Sequence, residues 1–155
     1  MPSAQKRSRV AEIKVTYKTV VKKEERYKFS CCEDVYKMIV KELYKSDTIE
    51  YVESFYILLL NRANEVLGYK LVSQGGVNGT VVDAKIVFGT AVKCNASSII
   101  LVHNHPSGSL YPSQPDKELT KKLVKGGKLL DVLVLDHIIV TSEGYYSFAD
   151  EGILD

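Results

Sequence analysis

The chain has 155 residues, 45% of them hydrophobic and 26% charged, with a formal net charge of +2. That length suits one domain with enough apolar material for a core, and the charge implies neither a nucleic-acid nor a membrane partner from electrostatics alone. Apolar runs such as "FYILLL" stop far short of the ~20 residues of a membrane span, and no apolar segment follows the basic residues of "MPSAQKRSRV", as a signal peptide would require.

Met1 to Arg9 is polar, basic and aperiodic, and is expected to be a disordered tail with Lys6, Arg7 and Arg9 solvated. "EIKVTYKTVV" sets Ile13, Val15 and Tyr17 against Lys14, Thr16 and Lys18, the period of a half-exposed strand. "SCCEDVYKMIVKELY" reads as a helix, with Ser30 and Glu33 at capping-box spacing and Val35, Ile39 and Leu43 on one face. Cys31 and Cys32 fall in its first turn, where a thiol pKa can be lowered, but packing explains them better because no base is near in sequence. With Cys94 they make three cysteines and no CxxC, the pattern of reduced thiols in a cytoplasmic protein.

"ESFYILLLN" reads as a buried strand, "NRANE" as a polar turn and "VLGYKLVS" as the second arm of a hairpin. "QGGVNGT" is turn material whose glycines lack phosphate-loop spacing. Thr80 and Asp83 have capping-box spacing before the apolar helix "AKIVFGTAVKCNA". "SSIILVH", apolar on both faces, predicts a central strand, and "SQPDKELTKKLVKGGKLL" a helix ending near Gly126 and Gly127. Its lysines, Lys117, Lys121, Lys122, Lys125 and Lys128, form a solvated face. "VLVLDHIIVT" and "GYYSF" supply the last strands. The order β-α-β-β-α-β-α-β-β predicts an α/β domain over residues 10–155, a mixed β-sheet covered by helices on both faces.

The candidate chemistry lies in "HNHPSGSLYPSQPD", directly after the central strand. In extended backbone His103 and His105 project to one side, so both imidazoles can reach one metal ion, and Asp116 at the next helix start can return a carboxylate. Two imidazoles and a carboxylate leave a fourth tetrahedral zinc position for water. Taken separately, the histidines also fit a hydrogen-bonded surface pair, and Ser113 fits a helix N-cap with Asp116 three residues on.

His103-x-His105, seven residues, then Ser113-x-x-Asp116 resembles, without a gap, the JAMM metalloprotease motif of the MPN domain; the longer "HNHPSG…PS…D" is similar to the RadC form. The likeness runs from "ESFYILLLN" to "DHIIVTSEGYYSFADEG". It implies a cytidine-deaminase-like three-layer sandwich, one Zn2+ held by His103, His105 and Asp116, Glu53 as general base on the water that zinc activates, and Ser113 as oxyanion donor. The residues alone leave Glu50, Glu53 and Glu65 open for the acidic role. The implied activity is a zinc-dependent hydrolase cutting a peptide or isopeptide-like amide. The alternatives are an accessory role in DNA repair or mobile-element biology, following the RadC name, and a nuclease at the same metal.

Deaminase chemistry is not implied, since His-x-Glu and Pro-Cys-x-x-Cys are missing, and the literal "HNH" is not the dispersed pattern of HNH nucleases. Two departures from the family stand out. Residues 1–50 hold no helix-hairpin-helix glycine motif, which weakens a link to nucleic acid, and Lys85 stands where an arginine is usual. Asp136-His137 reads equally as a pair supporting the metal ligands or as an ordinary satisfied strand histidine.

Overall fold

The computed structural model describes residues 9–44, 47–75 and 81–155. The basic tail (apart from Arg9), most of the Gly-rich turn and the expected Thr80 cap lie outside them. The elements are α1 (Cys32–Glu42), β1 (Ser54–Leu60), β2 (Val66–Gln74), α2 (Ala84–Lys93), β3 (Ser98–Asn104), α3 (Gln114–Leu129), β4 (Leu133–Val140) and β5 (Tyr145–Ser147). The five strands form one sheet in the order β2-β1-β3-β4-β5. β1 is antiparallel to both β2 and β3, β3 is parallel to β4, and β4 is antiparallel to β5. The mixed sheet is as expected.

Strands apolar at every position end in the middle, because both of their faces are covered. Alternation sends Phe55, Ile57, Leu59, Ile99 and Leu101 to one face, where they pack with Val87 and Phe88 of α2 and Leu123 and Val124 of α3. Leu58, Leu60, Ile100 and Val102 go to the other face and pack with Val35, Met38 and Ile39 of α1. A helix layer on each side of the sheet makes three layers.

Three local expectations need correction. No strand forms over residues 12–21: Ile13 and Val15 are 89% and 67% exposed. Alternation says which side chains would share a face; it supplies no neighbouring strand. The first backbone pairing with the sheet region is an isolated bridge between Lys28 and Glu65, after a 3-10 turn at Lys23–Glu25. The Ser30–Glu33 capping box is also absent. Cys31 is the N-cap without a side-chain bond, and Ser30 instead donates its N–H and hydroxyl to Asp34 at 3.3 Å each. Finally, α3 runs through Gly126 and Gly127 to Leu129. There the glycines serve close packing: a Cβ on Gly126 would sit 2.8 Å from the Phe88 ring, and one on Gly127 would strike the Val132 carbonyl oxygen. The remaining cap is local, with Asp83 accepting from the Lys85 N–H at 2.8 Å. All five lysines of α3 named above are exposed.

Candidate metal centre

β3 delivers the histidines. His103 pairs with Ile139 of β4 and with Phe55 of β1, and the His105 N–H adds one more bond, to the Val140 carbonyl at 3.1 Å. The strand geometry therefore persists through His105 and keeps the two imidazoles on one side. The chain then turns: the Gly108 N–H returns to the His105 carbonyl at 3.0 Å, and Gly108 takes φ of +81°, which suits glycine. Ser113 caps α3 with Pro115 in its first turn and closes a complete capping box with Asp116. The Ser113 hydroxyl and N–H donate to Asp116 Oδ2 at 2.6 and 2.7 Å, and Ser113 Oγ accepts from the Asp116 N–H at 3.2 Å. The cap reading and the ligand reading of this pair therefore coexist.

His103, His105 and Asp116 converge, each offering an atom within 4.8 Å of the others. The His103 and His105 Nε2 atoms are 2.9 Å apart. Asp116 Oδ1 is 3.3 Å from His103 Nε2, and Oδ2 is 3.4 Å from His105 Nε2. Zinc bonds of about 2.0–2.1 Å place tetrahedral donors about 3.3 Å apart, and each imidazole already lies near that distance from one oxygen of the Asp116 carboxylate. His105 Nδ1 lies 2.8 Å from the Ser109 carbonyl, which can only accept; neutral His105 therefore turns a lone pair toward the cluster. Two ring nitrogens and a carboxylate gathered this closely need a proton or a metal cation between them. The donor set fits zinc.

The electrostatics agree. Burial alone would raise the Asp116 pKa, but a proton carried by His103 or His105 on the nitrogen facing it, with the hydrogen bond from Ser113, holds its carboxyl far below the usual carboxylate range. Burial works against a charged His105, yet Asp116, the Ser109 carbonyl and the Glu53 charge together raise its pKa above the ordinary value. Both shifts point the same way, toward positive charge at this spot.

Of the three candidate glutamates, Glu65 sits in the β1–β2 turn, held by Asn61 at 2.8 Å, and Glu50 accepts from Ser142 at 2.6 Å. Glu53 is half-buried, directly before β1. Because Phe55 pairs with His103 in an antiparallel ladder, Glu53 comes level with His105 just beyond the last pair. It is outside the tight triad but near enough for its charge to act on His105.

Asn104, passed over in the motif as the letter between two histidines, anchors this segment. It is fully buried on the face opposite His103. Its Oδ1 accepts from the Ser54 N–H at 2.8 Å, and its Nδ2 donates to the carbonyls of Ile49 and Val52 at 2.7 and 2.9 Å. The Glu53 carbonyl accepts from the Gly75 N–H at 2.9 Å, and the Tyr44 hydroxyl donates to the Ser54 carbonyl at 2.8 Å. A buried asparagine in an apolar strand was the available signal.

Asp136 and His137 separate, as strand alternation requires. His137, fully buried, places Nε2 at 2.8 Å from His103 Nδ1. Asp136 turns to the other face, where its carboxylate accepts from the Ser147 hydroxyl at 2.6 Å and from the Ala149 N–H at 2.9 Å. Cys32 lies beside it at 3.4 Å. Burial, reinforced by the Asp136 charge, pushes the Cys32 thiol up to about 11, so the packing reading of that cysteine holds.

A family model described as "RadC-like JAB domain" matches residues 29–153. The chain is 50% identical over 101 residues to a UPF0758 protein of Flavobacterium johnsoniae, covering 65% of this chain and 44% of that one. It is 40% identical over 130 residues to a UPF0758 protein of Alkaliphilus metalliredigens, covering 83% and 53% respectively. A UPF0758 protein of Methanosarcina mazei is 39% identical over 131 residues, covering 84% and 56%. The chain thus spans about half the length of these curated relatives. No helix among the described residues is long and apolar enough to cross a membrane. The match to the family model covers every residue of the cluster built above, and the chain belongs to the RadC-like JAB domain family.

Proposed function

We propose that the protein is a zinc-dependent metallohydrolase that cleaves a peptide or isopeptide-like amide, with His103, His105 and Asp116 as the metal ligands. The observation that carries this is the convergence of two imidazole Nε2 atoms and the Asp116 carboxylate within about the edge length of a zinc tetrahedron. When bound, zinc supplies a Lewis acid that lowers the pKa of water and polarises a carbonyl. Glu53, level with His105 at the open end of β1, takes the proton from the attacking water at its carboxylate and passes it to the leaving nitrogen. Asn104 keeps the backbone beneath Glu53 from drifting. Ser113 braces Asp116 in the resting site, and a rotation of its hydroxyl directs the proton to the oxygen that gains charge on the attacked carbonyl.

The test combines metal content with substrate choice. Purified protein should carry about one zinc per chain, lost in His103→Ala and Asp116→Ala. Wild type should cut members of a peptide library and leave DNA intact, while Glu53→Gln retains zinc and loses cleavage. Absence of stoichiometric metal would reject the hydrolase. Cleavage of DNA alone, dependent on the same residues, would replace it with a nuclease.

A further inference from the structure

His103 has two ring nitrogens and only one faces the cluster. The other, Nδ1, meets His137 Nε2 at 2.8 Å. His137 Nδ1 in turn meets the Thr120 hydroxyl at 2.6 Å, and that hydroxyl donates to the Asp116 backbone carbonyl at 2.7 Å. Each of these groups is buried: His103 is 1% exposed, Thr120 1% and His137 0%. No water need intervene at such distances.

The direction of the chain follows from one group that cannot donate. The Asp116 carbonyl only accepts, so the single Thr120 proton is committed to it. Thr120 Oγ must then accept from His137 Nδ1–H. A neutral His137 with its proton on Nδ1 has a lone pair on Nε2, which accepts from His103 Nδ1–H. His103 is left with a bare Nε2, and that is the atom 2.9 Å from His105 Nε2 and 3.3 Å from Asp116 Oδ1. The reverse arrangement would put a proton on Nε2 and close His103 to a metal.

We propose that Thr120 and His137 are positioning residues for metal capture: by a buried hydrogen-bond chain they lock His103 in the tautomer that offers Nε2, and through the Asp116 carbonyl they tie the helix turn carrying the third ligand to the same chain. This rests on the metal-site reading above. It goes beyond that reading in assigning work to two residues that contact no metal. A histidine ligand usually donates its second N–H to a carboxylate, a backbone carbonyl or water. Here the acceptor is a second imidazole, itself oriented by a hydroxyl from the very helix that supplies Asp116. His137 is also fixed as a ring, stacked on Phe148 at a centroid distance of 4.7 Å and edge-on to Phe55 at 5.6 Å. Its Nε2 therefore has little freedom to swing away from His103.

The experiment is zinc affinity by chelator competition on wild type, Thr120→Val, Thr120→Ser and His137→Phe, with melting temperatures recorded alongside. Thr120→Val keeps the shape and removes the hydroxyl, and His137→Phe keeps the stacked ring and removes the acceptor. Both should weaken zinc binding by about 10–100-fold, while Thr120→Ser should stay within about threefold of wild type. Long-range proton–nitrogen spectra of the zinc-bound wild type should show His103 and His137 both protonated at Nδ1. Wild-type affinity in both Thr120→Val and His137→Phe, or a His137 protonated at Nε2, would overturn the proposal while leaving the metal site intact. A wild-type protein that binds no zinc would instead reject the metal site itself, and the proposal with it.

Discussion

Asn104 Oδ1 accepts a 2.8 Å hydrogen bond from the Ser54 N–H, so the residue between the two histidines holds the strand that begins just after Glu53. One tripeptide at the end of β3 thus serves both faces of the sheet. Its histidines face the cluster with Asp116, and its asparagine faces the α1 layer and ties down residues 49–54. Replacing Asn104 by Ala should cost about 2–4 kcal/mol in urea melts, because three backbone groups, two buried and one partly buried, lose their partner. Asn104→Asp should behave differently with pH. Its second oxygen would face the Ile49 and Val52 carbonyls, so the folded state favours the protonated acid and its pKa rises. Stability of that variant should then increase as pH falls from 8 to 5, relative to wild type. A parallel pH profile for the two proteins would contradict this packing.

The histidines predict a stability profile for the metal-free protein with two opposing arms. Burial holds the His137 pKa well below its ordinary value of 6.5, so the unfolded chain binds the extra proton first. Its contribution is present above that value and is lost as pH falls below it. His105 runs the other way: with a raised folded pKa, its contribution is present below 6.5 and is lost as pH rises through the folded value. Denaturant melts in chelator between pH 4.5 and 8.5 should show the acid arm flattened in His137→Gln and the alkaline arm flattened in His105→Gln.

Thiol labelling separates the cysteines. Cys31 is exposed, whereas Cys32 is half-buried with its thiol raised to about 11, and Cys94 is buried and raised as well. Iodoacetamide at pH 8 should modify Cys31 at least about tenfold faster than Cys32, since the thiolate is the reactive form. Peptide mapping of short time points decides it; equal rates would contradict the raised thiol.

The two glycines of α3 differ in what opposes them. An added methyl at Gly126 meets the end of the Phe88 ring, which can shift. At Gly127 it meets the Val132 carbonyl, in a turn held by the Val132 N–H donating to the Gly127 carbonyl at 2.9 Å. Gly127→Ala should therefore cost about 1–3 kcal/mol. Gly126→Ala should lie within about 1 kcal/mol of wild type, because the gain in helix propensity offsets the ring displacement. Thermal melts of the pair give the order.

The local parts of the site were legible in the sequence. His103 and His105 share a side because a strand alternates, and Ser113 with Asp116 has the spacing of a cap; both rules act over a few residues. Glu53 needed the family likeness, since its place depends on the pairing of β1 with β3 across fifty residues of chain. His137 and Asp136 were separable in principle, because adjacent strand residues face opposite layers, but which of them meets His103 depends on how β4 aligns with β3. The failed strand at 12–21 shows the same limit from the other side. Its alternation was real, and nothing in it specified an edge to pair with.

The Phe55–His103 register has a consequence for folding. Glu53 comes level with His105 only after two distant strands have paired, and Asp116 reaches the histidines only after α3 has docked on the sheet. The cluster is thus a product of long-range closure rather than of the loop that carries most of its letters. A peptide covering residues 98–120 should bind zinc far more weakly than the intact domain. By mass action, zinc at 100 times its dissociation constant would add about 2.7 kcal/mol to the stability of the folded chain. The metal would then report on the completeness of the fold, and a newly made chain would acquire it as one of the last events of its maturation.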